Sequence, residues 1–367
     1  MWTLTENKNW NNLESNFDWI KRMNEVPQDP FYHAEGNVAI HTKMVLDALI
    51  NDVTFGSLDA QDREILWAAA LLHDVEKYST TLIDVDGRIS SAGHAKKGAQ
   101  SSRNILFNEI PTPFYIREQI VGLVRHHGLP IWLFEKPDPL KSLVKASMEV
   151  SLQLLTILAR ADMLGRICDD QAEMLYRIDC FEAYCKEQNC WDSARVFATP
   201  QAKMYYFAHE GSFVDYVPFE SSSFEVMMMS GLPGAGKDSY IRQNFKNFPV
   251  VSLDEIRKQM GIKPTDKSGN GKVVQAAKEL ARTHLRKKQT FVWNATNITQ
   301  QMRSQLIELF TSYGAEVNII YLEVPYVKLN QQNKNRVEQV PDYIIDKLIQ
   351  KLEVPKAWEA HQVYYYI

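Results

Sequence analysis

Apolar positions in the first half of the chain recur at helical spacing. From Asn37 to about Asn51 they fall at Val38, Val45, Leu46 and Leu49, with Gly36-Asn37 as a cap in front. Asp62 to Tyr78 reads as a second helix, so rich in Ala and Leu that it belongs at the centre of a bundle. Gly87 and Gly93 punctuate a loop, and helical patterns resume at Ala95–Asn108, Pro113–His127, Leu140–Asp162 and Asp169–Gln188. Strand-like alternation is missing from this half, which predicts an all-α helical bundle over residues 1–200. Pro200 to Ser223 is irregular, aromatic and serine-rich at its end, and residues 201–223 read as a linker. The pattern then changes. Short apolar runs at Glu225–Met229, Val250–Leu253, Thr290–Trp293 and Glu316–Leu322 alternate with helical stretches, which predicts an α/β domain with a parallel sheet over residues 224–367.

Composition fits two globular domains: 367 residues, 45% hydrophobic and 23% charged. The N-terminus MWTLTENKNW is polar, unlike a signal or transit peptide, and no apolar run approaches a membrane span. Four cysteines in so long a chain fit a reducing, cytoplasmic setting, and the even spacing of Cys180, Cys185 and Cys190 matches neither a zinc site nor one helix face. A net charge of −4 gives no general attraction for a polyanion. Any nucleic-acid surface must be local, at Lys96-Lys97, Arg257-Lys258 or Arg286-Lys287-Lys288, or else these are solvated faces.

The most specific stretch is MMMSGLPGAGKDS, from Met227 to Ser239. A strand, a glycine loop, a lysine and a helix start make a P-loop for ATP. Gly231, Gly234, Ala235 and Gly236 let backbone N–H groups close on phosphates, and Lys237 reaches the β/γ-phosphates. Asp238 stands where a hydroxyl residue usually follows the lysine; the hydroxyl comes one place later, at Ser239, which becomes the candidate Mg²⁺ ligand. A carboxylate can hold Mg²⁺ too, directly or through water. Asp254 ends the strand run Val250–Leu253 at a crevice position, either as general base for an attacking hydroxyl, as helix N-cap, or as both. Arg257, one turn on, suits a substrate phosphate. Asn294 to Asn297 follow the next strand, with Arg303 beyond; Asn297 and Arg303 are candidate nucleic-acid contacts. Arg336, in LNQQNKNRVEQVP after the last clear strand, is either a lid arginine on the transferring phosphoryl or a solvated charge.

In the first half His73-Asp74 closes the Ala/Leu-rich helix, and His41, His94, His126-His127 and Asp162 lie on other helices. Imidazole and carboxylate suit divalent metals, and a bundle can gather residues distant in sequence. Here the chain resembles the HD-domain phosphohydrolase superfamily, whose H…HD…D pattern is carried by His41, His73, Asp74 and Asp162. The resemblance implies a two-metal site, with His94, His126 and His127 as further ligands, in which metal-activated water attacks phosphorus. Manganese, nickel, cobalt, copper or zinc would fit such ligands. Lys77 either steadies a phosphate or is a solvated helix-end lysine. The segment PQDPFYHAEGNVAIHT also resembles HD domains attached to tRNA-processing enzymes, so His33 either faces the site and the nucleic acid or lies on the surface.

The second half resembles the 5′-hydroxyl polynucleotide kinases of phage and bacterial RNA repair, through GLPGAGKDS, Asp254 with Arg257, Asn294 to Asn297, and VPY followed by Arg336 and Val340-Pro341. That resemblance implies Lys237 and Arg336 on ATP phosphates, Asp254 as base and Arg257 by the acceptor. The family's lid commonly carries two arginines one turn apart; here the earlier position is Gln332. Together the halves resemble the HD-Pnk type of bacterial end-healing enzyme. That implies removal or opening of a 2′,3′-cyclic phosphate and phosphorylation of a 5′-hydroxyl on RNA or DNA ends, in cooperation with a ligase. Two other readings compete. One is a nucleotide phosphohydrolase fused to a nucleoside or sugar kinase, which the acidic net charge favours. The other is a regulator whose P-loop binds nucleotide without turnover, against which Asp254 argues.

Overall fold

The computed structural model describes residues 1–219, 224–336 and 338–367. It separates into two compact units, Met1–Arg195 and Val196–Ile367.

The first unit is a bundle built around the helix Ala60–Leu72. Every residue from Ile65 to Leu72 is buried, because helices packed around it leave this element no solvent face. Its neighbours are the helices Val38–Ile50, Phe114–His126 and Leu152–Leu164. Asn37 starts the first of these: its side chain accepts from the Ile40 N–H, as the sequence predicts.

Three expectations change. The central helix ends at Leu72 rather than Tyr78; His73 caps it, and a short helix, Lys77–Thr80, follows a turn. The His-Asp pair therefore sits in a turn with its side chains freed from the helix face. The expected single helix Leu140–Asp162 is two, Pro139–Ser147 and Leu152–Leu164, set at 109°. Ser151, extended at ψ 119, caps the second by accepting from the Leu154 N–H. The glycine-punctuated loop carries a small antiparallel hairpin of β1 (Leu82–Ile83) and β2 (Ile89–Ser90). It is too short for its alternation to register in the sequence. Among the described residues no single helix is long and apolar enough to cross a membrane.

The second unit holds five parallel strands: β3 (Glu225–Ser230), β4 (Val250–Ser252), β5 (Phe291–Asn294), β6 (Glu316–Leu322) and β7 (Gln362–Tyr366). Their order is β4-β5-β3-β6-β7. The buried core strands read as near-continuous apolar runs, as parallel strands covered on both faces must. β7 was not legible as a strand. It is an edge, rich in tyrosine, with half-exposed residues on both faces and hence no clean alternation. The stretch expected to be a linker opens with a helix, Pro200–Ala208, capped by Thr199. This helix belongs to the second unit: Lys203 Nζ donates to Ala357 O at 2.6 Å and His361 O at 2.9 Å. The serine run 221–223 lies outside the described residues.

Two candidate nucleic-acid contacts turn out to be internal struts. Arg303 is fully buried, with a two-pronged ion pair to Glu359 at 2.7 and 2.9 Å. It also donates to Asn297 O and Glu353 O. Asn297, itself buried, donates to Met229 O at 2.7 Å. Arg303 thus fastens the C-terminal segment to the sheet, and neither side chain can reach a ligand in solvent. Removing one member of a buried, hydrogen-bonded pair strands the other charge. Arg303→Met is therefore expected to lower the stability of the second unit by about 3–5 kcal/mol. Urea denaturation followed by tryptophan fluorescence measures the loss.

Candidate active sites

The first unit gathers its candidate metal ligands from five chain segments. The helix Val38–Ile50 brings His41, the turn after the central helix brings His73 and Asp74, and His94 opens the helix His94–Asn104. His127 caps Phe114–His126, and Asp162 comes from Leu152–Leu164. His41, His73 and Asp162 form one potential ligand group, and Asp74, His94 and His127 form a second. His41 Nε2 lies 3.1 Å from Asp162 Oδ1 and 3.4 Å from His73 Nε2. His94 Nε2 lies 3.2 Å from His127 Nε2. Asp74 joins the groups, with Oδ2 3.2 Å from His73 Nε2 and Oδ1 3.4 Å from His94 Nε2.

Hydrogen bonds on the far side of each ring explain what these nitrogens are for. His73 Nδ1 faces Ala70 O at 2.7 Å, His94 Nδ1 faces Ser91 O at 2.7 Å, and His127 Nδ1 faces Val124 O at 2.9 Å. His41 Nδ1 faces Gly165 O at 3.2 Å and Glu35 Oε1 at 3.0 Å. Each Nδ1 has only acceptors before it, so it carries a proton, and Nε2 is the nitrogen each ring turns inward. Between His94 and His127 the facing nitrogens, 3.2 Å apart, repel unless a cation lies between them; between His41 and His73, 3.4 Å apart, a proton or a metal ion can fill that place. Asp74 Oδ1 is buried with no hydrogen-bond donor. The donor set thus fits divalent metal ions, which His41, His73 and Asp162 and, beside them, Asp74, His94 and His127 would hold.

Burial opposes the charge on His73, but Asp74 and Asp162 outweigh it and raise its pKa, so a metal ion there would displace a proton. Burial, with His94 and His73 adding to it, pushes His127 down to about 3, and burial also lowers His94, so both are neutral ligands at ordinary pH. Burial opposes the charge on Asp74, but His73 and Lys77 overcome it and hold the carboxyl well below its usual range. Burial likewise opposes the charge on Asp162, and Arg166 and His41 outweigh it.

Around the cluster the candidates divide. His126 points away, 3.3 Å from Glu149 Oε2, and belongs to neither group: the adjacent His-His pair supplies one ligand, because successive side chains leave a chain in different directions. Lys77 is buried rather than solvated, with Nζ 2.8 Å from Asp74 Oδ2 and donating to Gln28 Oε1 at 2.5 Å. His33 is buried rather than superficial, its ring centroid 4.9 Å from that of His41. Sequence reasoning passed over Glu35 and Arg166. Glu35 binds His33 and His41; Arg166 Nη2 binds Asp162 Oδ2 at 2.6 Å. The available signals were the i,i+4 spacing of Asp162 and Arg166 and the position of Glu35 between two histidines.

In the second unit the P-loop joins β3 to the helix Lys237–Asn244. Gly231 is required: it adopts φ +145, and a Cβ there would sit 2.4 Å from Leu322 O. At Gly234 the loop approaches the helix Tyr326–Lys334, where a Cβ would lie 3.3 Å from Leu329 O. Gly236 precedes the helix in the left-handed region, and Ala235 is buried. Lys237 Nζ donates to Gly231 O and Leu232 O, both at 2.9 Å, so the lysine spans its own loop. Burial lowers its pKa to about 8; Asp238 opposes that shift, Arg336 reinforces it, and Asp254 opposes it. All three charges therefore act on the same crevice.

Asp254 lies in the first turn of the helix Leu253–Gln259, exposed and paired with Arg257 Nη1. The N-cap is Ser252, which accepts from the Glu255 N–H, so capping is not the work of Asp254. Arg257 Nε also donates to Asn270 Oδ1 at 3.0 Å. Of the asparagines after β5 it is Asn294, not Asn297, that reaches the crevice: its Nδ2 donates to Asp238 Oδ1 at 2.8 Å. Ser239 Oγ accepts from Arg242 Nη2 at 3.0 Å. Arg336 follows the helix Tyr326–Lys334 in a turn held by Asn333, whose side chain bonds both Val340 O and Val340 N. Residue 337 lies outside the described residues.

Residues 38–166 match the HD domain, and residues 226–355 match an AAA domain. Among solved structures, two of the Pnkp1/Rnl/Hen1 RNA repair complex are similar at 18% and 15% identity, covering 36% and 34% of this chain, with TM-scores of 0.32 and 0.30. The match spans 43% and 44% of those chains, less than half their length. A candidate kinase from Chloroflexus aurantiacus is similar at 13% identity over 40% of this chain and 85% of its own, with a TM-score of 0.34. The chain thus carries an HD domain over residues 38–166, followed by an AAA domain over residues 226–355 that contains the P-loop.

Proposed function

We propose that the chain heals broken nucleic-acid ends, with the HD unit acting on a 2′,3′-cyclic phosphate and the P-loop unit phosphorylating a 5′-hydroxyl from ATP. The observation that carries this reading is the pairing, in one chain, of two complementary phosphate chemistries. One is a buried ligand cluster suited to phosphoester hydrolysis; the other is a P-loop crevice with an exposed carboxylate-guanidinium pair on its acceptor side.

In the HD unit two divalent ions, from manganese, nickel, cobalt, copper and zinc, would lower the pKa of a nucleophilic water and neutralise phosphoryl charge. His41, His73 and Asp162 would hold one ion, His94 and His127 the other, and Asp74 would contribute to both. Lys77 keeps a positive charge beside Asp74, where it can meet a phosphoryl oxygen. Arg166, bound to Asp162, fixes that carboxylate and adds a second cation at the edge of the cluster.

In the P-loop unit Lys237 would exchange its two loop carbonyls for the β/γ-phosphates of ATP. Arg336 would close on the transferring phosphoryl, with Mg²⁺ held by Asp238 or Ser239. Asp254 would take the proton from the acceptor hydroxyl as it attacks, and Arg257 would both orient Asp254 and hold the acceptor's phosphate. The 5′-phosphate and freed 3′ end so produced are what a ligase requires, so a ligase is the functional partner.

An oligonucleotide with a 5′-hydroxyl and a 2′,3′-cyclic phosphate tests this. Given ATP, Mg²⁺ and Mn²⁺ or Ni²⁺, both ends should change. Asp254→Ala should slow 5′ phosphorylation by about 10²–10⁴-fold and leave the 3′ reaction intact. Asp74→Ala should slow the 3′ reaction by at least ~100-fold and leave the kinase intact. Reaction of mononucleotides alone would instead support a small-molecule kinase and phosphohydrolase.

The lowered pKa of Lys237 gives a second prediction. A cationic lysine binds phosphate and a neutral one does not, so ATP affinity should hold steady up to about pH 8 and fall above it. By pH 9 roughly one lysine in ten is protonated in the free protein, and the dissociation constant should rise about tenfold. Calorimetric titration with ATP at pH 7 and pH 9 measures this, with proton uptake on binding at the higher pH.

A further inference from the structure

Glu35 lies outside the H…HD…D pattern, yet its side chain is almost wholly inaccessible, 1% exposed. Its Oε1 is 2.8 Å from His33 Nδ1 and 3.0 Å from His41 Nδ1, and its Oε2 accepts from the Ile167 N–H at 3.0 Å. Three nitrogens thus converge on one carboxylate. An ionised carboxylate can only accept, so both imidazoles must present Nδ1–H to it. Each ring then carries its lone pair on Nε2. For His41 that nitrogen is the one facing Asp162 and His73. For His33 it places the lone pair on a buried ring packed edge-to-face against His41, where burial lowers the pKa to about 4.

His33, Glu35 and His41 also satisfy the distance criterion for a third ion. Chemistry argues against that. A third ion would have to take His41 through Nδ1 while Nε2 serves the first ion, which would require a doubly deprotonated ring. It would also remove the N–H groups that account for the position of Glu35. A carboxylate behind a ligating imidazole needs no such step.

We infer that Glu35 is a positioning residue that locks His41 and His33 together in the Nδ1–H tautomer, so that His41 presents Nε2 to the metal site with its ring held in place by both partners. The inference rests on the reading of the cluster as a metal centre, but its tautomer component does not need the metal.

The test uses the full chain with ¹⁵N-labelled histidine and Co²⁺ as the probe ion. Long-range ¹H–¹⁵N correlation spectra of the metal-free protein should show His33 and His41 protonated at Nδ1 and bare at Nε2. In Glu35→Gln, where the amide N–H can oppose Nδ1–H, these signatures should shift or broaden. Competitive titration with a chelator, read by Co²⁺ absorption, should give two ions per wild-type chain. Their affinity should fall about 10–100-fold in Glu35→Gln and be partly restored in Glu35→Asp. Kinase activity, housed in the other unit, should not move, and helical circular dichroism with a cooperative thermal transition reports that the first unit of each variant folds. Three ions in the wild type and two in Glu35→Gln, with the affinity of those two unchanged, would make Glu35 a ligand and overturn the inference. So would an Nε2–H tautomer on either ring of the wild type, or unaltered tautomers and affinity in the variant. If the wild type binds no Co²⁺, the metal reading fails while the wild-type spectra still decide the tautomers.

Discussion

The first unit depends on holding imidazole nitrogens and carboxylates close together in a dry interior. Imidazole Nε2 atoms face one another at 3.4 Å and 3.2 Å inside a closed bundle. Nothing about burial favours that arrangement: the rings lose water and gain no donor on that side. What imposes it is the opposite nitrogen of each ring. The Nδ1–H groups of His73, His94 and His127 are satisfied by carbonyls within their own turns, so backbone geometry dictates where the Nε2 atoms point. The scaffold thus aims nitrogen and carboxylate donors at one another, and the remaining buried charges hold them there. Lys77 and Arg166 sit against Asp74 and Asp162, keeping both carboxylates ionised where burial alone would protonate them.

The second unit solves a different problem with backbone rather than side chains. Phosphate must approach main-chain N–H groups closely, so the loop after β3 is built where a Cβ would collide with β6 or with the helix that precedes Arg336. The loop is thereby tied to both the sheet and the helix Tyr326–Lys334. The buried Arg303–Glu359 pair then secures the C-terminal segment. Lys237 closes the loop on itself through two carbonyls, which holds the site in shape, while burial lowers the lysine's affinity for its proton.

Much of this was legible in the sequence, for identifiable reasons. Helical spacing located the helices, and the change to short apolar runs located the parallel sheet. The P-loop and the H…HD…D residues carry their chemistry in their identity, and His41, His73, Asp74 and Asp162 do converge. What escaped was whatever depends on direction. Sequence cannot tell that His127 turns inward while His126 turns to Glu149, or that Asn294 and not Asn297 faces the crevice. Nor can it tell a surface arginine from Arg303, since the carboxylate that buries it lies 56 residues away. Glu35 and Arg166 were passed over because their roles are defined by other residues, not by ligands. β7 and the helix Pro200–Ala208 were missed because aromatic-rich segments have no clean period.

The inward Nε2 atoms and the two carboxylates would hold two divalent ions, with Asp74 placed to reach both. Anomalous diffraction from crystals grown with Mn²⁺ tests it directly, with data above and below the manganese edge. The account predicts two anomalous peaks per chain in this cluster, both in contact with Asp74: one against His41, His73 and Asp162, the other against His94 and His127. A cluster empty of anomalous density at saturating Mn²⁺, or a single ion that does not touch Asp74, would contradict it.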